Sequence, residues 1–129
     1  MSIILIPQHG EDTKINFWNW RPTLELLRNA HLIDDDLCEQ LAVNGSGATV
    51  DAETARQIAD FLDARLATMK PGERIKADLT TTDEPKKRVV FTPKMRISDI
   101  DTLDLYSATY EWLLTFRDFS RNSGGFKVS

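Results

Sequence analysis

Five basic side chains close together late in the chain are the residues best suited to hold a charged partner. They are Lys86, Lys87, Arg88, Lys94 and Arg96, with Phe91 among them and no acidic residue between positions 86 and 96. Basic side chains around an aromatic ring are typical of surfaces that bind nucleic-acid phosphates while a base stacks on the ring. The same charges also suit a solvated loop or a site for an acidic protein. The run therefore predicts a binding segment, with nucleic acid and protein both open as its partner.

The charge of the whole chain favours a protein partner. It has 16 lysines and arginines against 20 aspartates and glutamates, so the net charge is −4 and the isoelectric point is about 5.1. Nucleic-acid-binding domains are usually strongly basic. The charge is unevenly spread, since residues 1–69 hold 5 basic and 11 acidic side chains and residues 70–129 hold 11 basic and 9 acidic ones. We expect the acidic N-terminal half to face a basic surface on another protein.

The residue types that usually carry catalysis or hold metals are scarce. There are two histidines, His9 and His31, and one cysteine, Cys38, and none of them has a second ligand at the spacing of a zinc site. The acidic run 34–36 lacks the glycine and distal glutamate of a calcium loop and fits the start of a helix better. The glycines in 45–47 are not followed by the lysine of a phosphate loop. These patterns predict a non-catalytic protein with no metal and no cofactor.

Two tryptophans and an arginine near the N-terminus belong to the types enriched at interface hot spots. Trp18 and Trp20 are two residues apart and would share a face if the strand before them continued, and Arg21 follows directly. Aromatic side chains also dominate cores, so we favour packing of this strand against the last helix. Self-association through the aromatic surface, which would give a homo-oligomer, stays open.

The elements that must position these residues are those of one α+β domain spanning 1–129. Alternating apolar residues predict an antiparallel hairpin with strands at 2–6 and 14–18. Apolar residues three and four apart predict about four helices, near 22–30, 33–42, 51–69 and from 101 or 102 to 122. The fold is therefore expected to be mostly helical with a small antiparallel sheet. Residues 70–98 predict either a long polar loop or an irregular hairpin whose tip lies at 80–85.

The clearest local signals bound the helices. Pro22 suits the first position of helix one, and Asp51 suits the N-cap of helix three. Helix three carries a regular apolar stripe of Ala55, Ile58, Ala59, Leu62, Leu66 and Met69. The last helix is apolar around most of its circumference, which predicts a central position. Gly124 suits the left-handed residue that closes it, Phe126 suits the contact of that cap, and residues 126–128 are expected to pair with an N-terminal strand.

Three segments carry a family resemblance: Phe-Trp-Asn-Trp at 17–20, Val-Asp-Ala-Glu-Thr-Ala-Arg-Gln-Ile-Ala at 50–59, and Phe-Arg-Asp-Phe at 116–119 with Gly-Gly-Phe at 124–126. Together they resemble an uncharacterised family of small bacterial cytosolic proteins that end in an aromatic helix plus Gly-Gly-Phe. The resemblance does not extend over 70–98 and implies no catalytic residue. Small acidic proteins of this kind resemble toxin-neutralising immunity proteins, which implies an immunity-like or antitoxin-like role. The alternative is a nucleic-acid-binding or regulatory module that uses the basic residues at 86–96.

The expected location is the cytoplasm. A single cysteine cannot form an internal disulfide, which favours a reducing compartment. The apolar run at 3–6 is too short for the core of a signal peptide, and no stretch approaches the roughly 20 apolar residues of a membrane span. We therefore expect no membrane partner.

Overall fold

The computed structural model describes residues 2–84 and 106–129, which form an α+β fold with four helices and two small antiparallel sheets. In chain order the elements are β1 (Ser2–Pro7), β2 (Thr13–Asn16), α1 (Phe17–Asn29), α2 (Asp35–Leu41), β3 (Thr49–Val50), α3 (Ala52–Leu66), β4 (Arg74–Lys76), β5 (Thr81–Thr82), β6 (Ser107–Thr109), α4 (Tyr110–Ser123) and β7 (Phe126–Val128). Within the described ranges, no helix is both long and apolar enough to cross a membrane.

The first sheet joins the two ends of the chain. Its strand order is β2-β1-β7-β3, and every neighbouring pair is antiparallel. Ile3 and Leu5 on β1 are fully buried on one face, as is Val128 on β7, which is paired with Leu5. Ile4, on the opposite face, is exposed. The predicted hairpin and the predicted pairing of the C-terminal strand are both confirmed, although β2 ends at Asn16 and not at residue 18.

Helix α1 begins five residues before the predicted start. Asn16 has extended backbone dihedrals, and its Oδ1 accepts a hydrogen bond from the Asn19 N–H at 3.0 Å, so it is the N-cap. Pro22 therefore lies inside the helix, and its predicted place at the first helical position is wrong. Successive helical residues are about 100° apart, so Trp18 and Trp20 point to different sides of α1, whereas on a strand they would share a face.

Helices α2 and α3 confirm the sequence reading closely. Asp34 caps α2 by accepting the Leu37 N–H at 2.7 Å, and Asp51 caps α3 by accepting the Thr54 N–H at 2.7 Å. The predicted apolar stripe of α3, including Met69 just beyond its end, is buried throughout. Cys38 is buried on α2, as its position on the apolar side predicted.

Helix α4 starts later than predicted but lies where its composition indicated. It begins at Tyr110, with Thr109 as its N-cap, while 107–109 form β6 and 101–105 lie outside the described residues. Phe116 is fully buried and Trp112 is 7% exposed. Gly124 has φ 69°, so the predicted left-handed closure is confirmed. The prediction of a central aromatic helix is confirmed as well.

The core around α4 is held by aromatic contacts with satisfied polar groups. The Trp20 ring meets the Phe116 ring edge to face, with centroids 5.5 Å apart. The Trp20 indole N–H donates to the Leu41 carbonyl at 2.8 Å, and the Trp112 indole N–H donates to the Thr23 hydroxyl at 2.9 Å. Burial of these rings therefore leaves neither indole donor unpaired, which keeps the desolvation cost small.

The second sheet includes part of the segment 70–98, for which the sequence predicted a loop or an irregular hairpin. Its strand order is β5-β4-β6, and Ile75 on β4 lies opposite Ala108 on β6. The Asp78 carboxylate accepts hydrogen bonds from the Thr80 N–H and hydroxyl, so the chain turns at 77–80. A hairpin is therefore present, but Thr81–Thr82 form a strand and not the predicted tip. The predictions for residues 85–98 lie outside the described residues.

Candidate functional site

The strongest candidate binding surface is a cluster of aromatic side chains beside one arginine, which we call the aromatic patch: Phe17, Trp18, Arg21 and Tyr106. Trp18 is 42% exposed, and it is the one aromatic among the large apolar side chains that are exposed in the described ranges. Its ring centroid lies 4.6 Å from that of Tyr106, at an interplanar angle of 49°. The Arg21 guanidinium carbon lies 5.6 Å from the centroid of the Tyr106 ring, which is cation–π distance. These side chains line a cavity of about 350 Å³.

Two asparagines hold the parts of the patch in place. The buried Asn19 donates from its side-chain amide to Asn16 Oδ1 at 3.1 Å. Its own Oδ1 accepts the Thr109 N–H at 3.0 Å, which ties the first turn of α1 to β6. Tyr106 comes directly before β6, so this bond joins the segment that carries Tyr106 to the helix that carries Trp18. Hydrogen bonds of Asn16 and Asn19 therefore connect the two segments that contribute to the patch.

Arg21 differs from the arginines that stabilise the fold. Arg28 pairs with Glu25 and Asp35, and Arg121 pairs with Asp60 and Asp63. Arg21 is exposed, and within the described residues no carboxylate lies within ion-pair distance of it. A guanidinium that contacts a ring keeps its in-plane N–H donors for hydrogen bonds. The Arg21 donors are therefore not engaged by a carboxylate of residues 2–84 or 106–129.

The structure places the two predicted tryptophans but not the predicted basic segment. Lys86, Lys87, Arg88, Lys94 and Arg96 all lie outside the described residues, so their joint role as a binding segment stays a prediction. The preference for core packing is confirmed for Trp20, which is fully buried, and is wrong for Trp18. The signal that could have separated them is Asn16, a favoured N-cap residue three positions before Asn19. Tyr106 was missed as a patch residue because the sequence placed it within the last helix.

Two further cavities lie away from the patch. One of about 450 Å³ is lined by residues that include Arg28, His31 and Asp35, where α1 turns into α2. The other, of about 550 Å³, is bordered by His9, Gly124 and the start of α3. In the first, Arg28 is already engaged by carboxylates, whose hydrogen bonds raise its pKa. In the second, the Asp51 carboxylate already accepts a hydrogen bond at the N-terminus of α3. Neither cavity has an exposed tryptophan in its described lining.

The titratable groups with shifted pKa values have structural causes. Burial raises the pKa of the Cys38 thiol, which favours the protonated form and disfavours a nucleophile. The hydrogen bond from Arg121 lowers the pKa of the Asp63 carboxyl, and this pair joins α3 to α4 on the surface. In the part of the chain that the structure describes, no group of three or more histidine, cysteine or acidic residues could hold a metal ion.

Comparisons with protein families, with curated proteins and with solved structures each found no match to this chain. The resemblance noted in the sequence therefore stays a prediction.

Proposed function

We propose that this protein acts by binding another protein and that the aromatic patch is its contact surface. The observation that supports this most strongly is the 42% exposure of Trp18 on a helix whose next tryptophan is fully buried. Tryptophan, tyrosine and arginine are the residue types that contribute most to protein–protein binding, and here Tyr106 contacts both Trp18 and Arg21.

The patch suits recognition better than catalysis. Its described lining offers two aromatic polar tips, one guanidinium and no carboxylate, thiol or imidazole. Of the side chains that usually serve as general acids or bases, its described lining includes only Tyr106. We therefore propose that the patch binds a partner without catalysing a reaction.

Nucleic acid is the second candidate partner, because a base could stack on Trp18 while Arg21 meets a phosphate. The net charge of −4 opposes it, since a phosphate backbone would approach an acidic molecule. We therefore favour a protein as the partner. The nucleic-acid alternative rests on the basic residues at 86–96.

An immunity-like or antitoxin-like role in a bacterial cytoplasm is the narrower form of the proposal. Such a protein works by occupying the surface of one partner, so a single rigid patch would be sufficient. The identity of the neighbouring genes tests this narrower form, with an adjacent toxin-like reading frame as the expected finding. A conserved neighbourhood of unrelated metabolic genes would contradict it while leaving the binding proposal in place.

The binding proposal is tested by affinity capture with matched variants. The wild-type protein, Trp18→Ala and Val43→Ala are immobilised, because Val43 is an exposed apolar residue (56%) that does not line the patch. We expect a protein that is captured by the wild type and by Val43→Ala and is lost with Trp18→Ala. Truncating a hot-spot tryptophan costs about 2 kcal/mol or more, which is roughly a 30-fold loss of affinity for the purified partner. Equal capture by both variants would contradict the proposal.

A further inference from the structure

The geometry points to the chemistry of the segment that the aromatic patch recognises. We propose that the partner presents an extended peptide in which a carboxylate lies two residues from an aromatic or other large apolar side chain. The carboxylate accepts hydrogen bonds from Arg21, and the apolar side chain packs on Trp18. This inference rests on the proposed function and adds the sequence pattern that the patch would read.

The charge of the occupant follows from Arg21. Its guanidinium is exposed, lies 5.6 Å from the Tyr106 ring centroid, and has no carboxylate within ion-pair distance among residues 2–84 and 106–129. A planar fork of N–H donors matches the two oxygens of a carboxylate. The ring contact restrains the guanidinium, so less conformational entropy is lost when the carboxylate binds.

The apolar half of the pattern follows from Trp18. Its exposed ring lies beside a cavity of about 350 Å³, near the lower limit of the volumes that bind ligands. A space of that size suits one large side chain and not an extended flat surface. An aromatic side chain from the partner would stack on Trp18 or meet its edge, as aromatic pairs do.

The spacing within the peptide follows from the helix. Trp18 and Arg21 are three residues apart on α1, which places their Cβ atoms about 5–6 Å apart on neighbouring positions of the surface. In an extended peptide, side chains two residues apart lie on the same face, separated by about 6.6 Å. A carboxylate and an apolar residue at positions i and i+2 therefore match the pair, whereas adjacent residues would point to opposite faces.

A peptide is favoured over other carriers of the same charge. An oligonucleotide brings one phosphate for each base and would meet a protein of net charge −4. A peptide can present a single carboxylate within a neutral frame, so it engages Arg21 without that repulsion.

The test uses fluorescein-labelled peptides in a Gly-Ser frame with randomised flanking residues. One pool carries Asp-x-Trp, a second carries Asn-x-Trp, and a third carries the adjacent pair Asp-Trp. Fluorescence polarisation measures binding to the wild-type protein at concentrations up to about 1 mM, where weak single-motif contacts are detected. We expect the Asp-x-Trp pool to bind about tenfold more tightly than the Asn-x-Trp pool, as expected for a charge-assisted hydrogen bond at a partly exposed site.

Matched variants locate the effect. Arg21→Gln should remove the preference for Asp over Asn, whereas Arg56→Gln, which makes the same charge change at an exposed position on α3, should keep it. Arg21→Lys should keep only part of the preference, because lysine retains the charge and loses the planar fork. Circular dichroism melts of each variant confirm that the fold is retained.

The outcomes separate this inference from the proposed function. If Trp18→Ala loses the partner protein but Arg21→Gln leaves the preference for Asp unchanged, the inference fails and the proposed function stands. If Trp18→Ala leaves binding of the partner protein unchanged, both the proposed function and this inference fail. Equal binding of the Asp-x-Trp and Asp-Trp pools, no binding of any pool, or tighter binding of a labelled oligo-dT would each overturn the inference.

Discussion

Phe126→Ala is the substitution that tests the packing of the C-terminal strand most sharply. Phe126 is 2% exposed, and its ring centroid lies 5.9 Å from that of Phe116 and 5.3 Å from that of Phe119. It sits on β7, which bridges β1 and β3 in the first sheet. Replacing a buried phenylalanine by alanine removes its transfer free energy and leaves a cavity, at a cost of about 3–5 kcal/mol.

That loss is large compared with the whole stability of a domain. Unfolding free energies are typically about 5–15 kcal/mol, so the variant should lose a substantial part of its stability. Urea titration followed by tryptophan fluorescence measures it, and with a slope near 2 kcal/mol/M the midpoint should fall by about 2 M. Lys127→Ala is the control, because Lys127 is exposed on the same strand and should change the unfolding free energy by less than about 0.5 kcal/mol.

Truncation after Asn122 is the more severe form of the same change. It removes the whole of β7 together with the glycine that closes α4, so we expect loss of the cooperative unfolding transition. A Phe126→Ala effect below about 1 kcal/mol, or a truncated chain that melts at the wild-type temperature, would refute the reasoning about the closing strand.

Three further predictions address the frame of the patch and the packing of the helices. Asn16→Ala removes the cap of α1 and should lower the unfolding free energy by about 1 kcal/mol in urea titrations, whereas Asn16→Asp keeps an acceptor and should cost little; equal effects would contradict the assigned cap. Gly125→Ala should lower the unfolding free energy by about 2 kcal/mol or more in thermal melts, because φ is +104° and the new Cβ would lie 2.9 Å from a carbonyl oxygen of β3. Gly45→Ala is the control and should cost less, since φ is +74° and no atom lies within 4 Å of the new Cβ. The reverse order of the two effects would contradict this packing. The hydrogen bond from Arg121 lowers the pKa of Asp63 in the folded protein. The stabilisation from this pair is therefore present above the unfolded pKa of about 3.9 and is lost as the pH falls through the folded pKa. The unfolding free energy of Asp63→Asn should depend less on pH in that acid range, and an unchanged pH profile would contradict a stabilising role of the pair.

The parts of the fold that were predicted correctly are those determined by residues close together in the sequence. Helix α3 combines an aspartate N-cap with an uninterrupted apolar stripe, and both features act within a few residues of each other. The close of α4 at Gly124 is local in the same way, since a left-handed residue there is available to glycine at little cost.

The parts that sequence predicted poorly depend on contacts between distant segments. Strand β6 pairs with β4, more than thirty residues away along the chain, so residues 107–109 form a strand where the sequence predicted helix. Tyr106 consequently lies beside Trp18, and no pattern near either residue records that contact.

The exposure of Trp18 depends on whether residues 17 and 18 extend a strand or begin a helix. A strand through 14–18 would have placed Trp18 and Trp20 on the same face, whereas the cap at Asn16 starts a helix that separates them. Hydrophobic alternation at Ile15 and Phe17 favoured the strand, while the capping hydrogen bond favoured the helix. The candidate site therefore could not be placed from the hydrophobic pattern alone.

The most direct test of the central claim is site-specific photo-cross-linking in living cells. Two versions of the protein carry p-benzoylphenylalanine, one in place of Trp18 and the other in place of Val43. If the aromatic patch is the contact surface, irradiation gives one discrete cross-linked protein from position 18 and none from position 43. No cross-linked product from position 18, or the same product from both positions, would contradict the account.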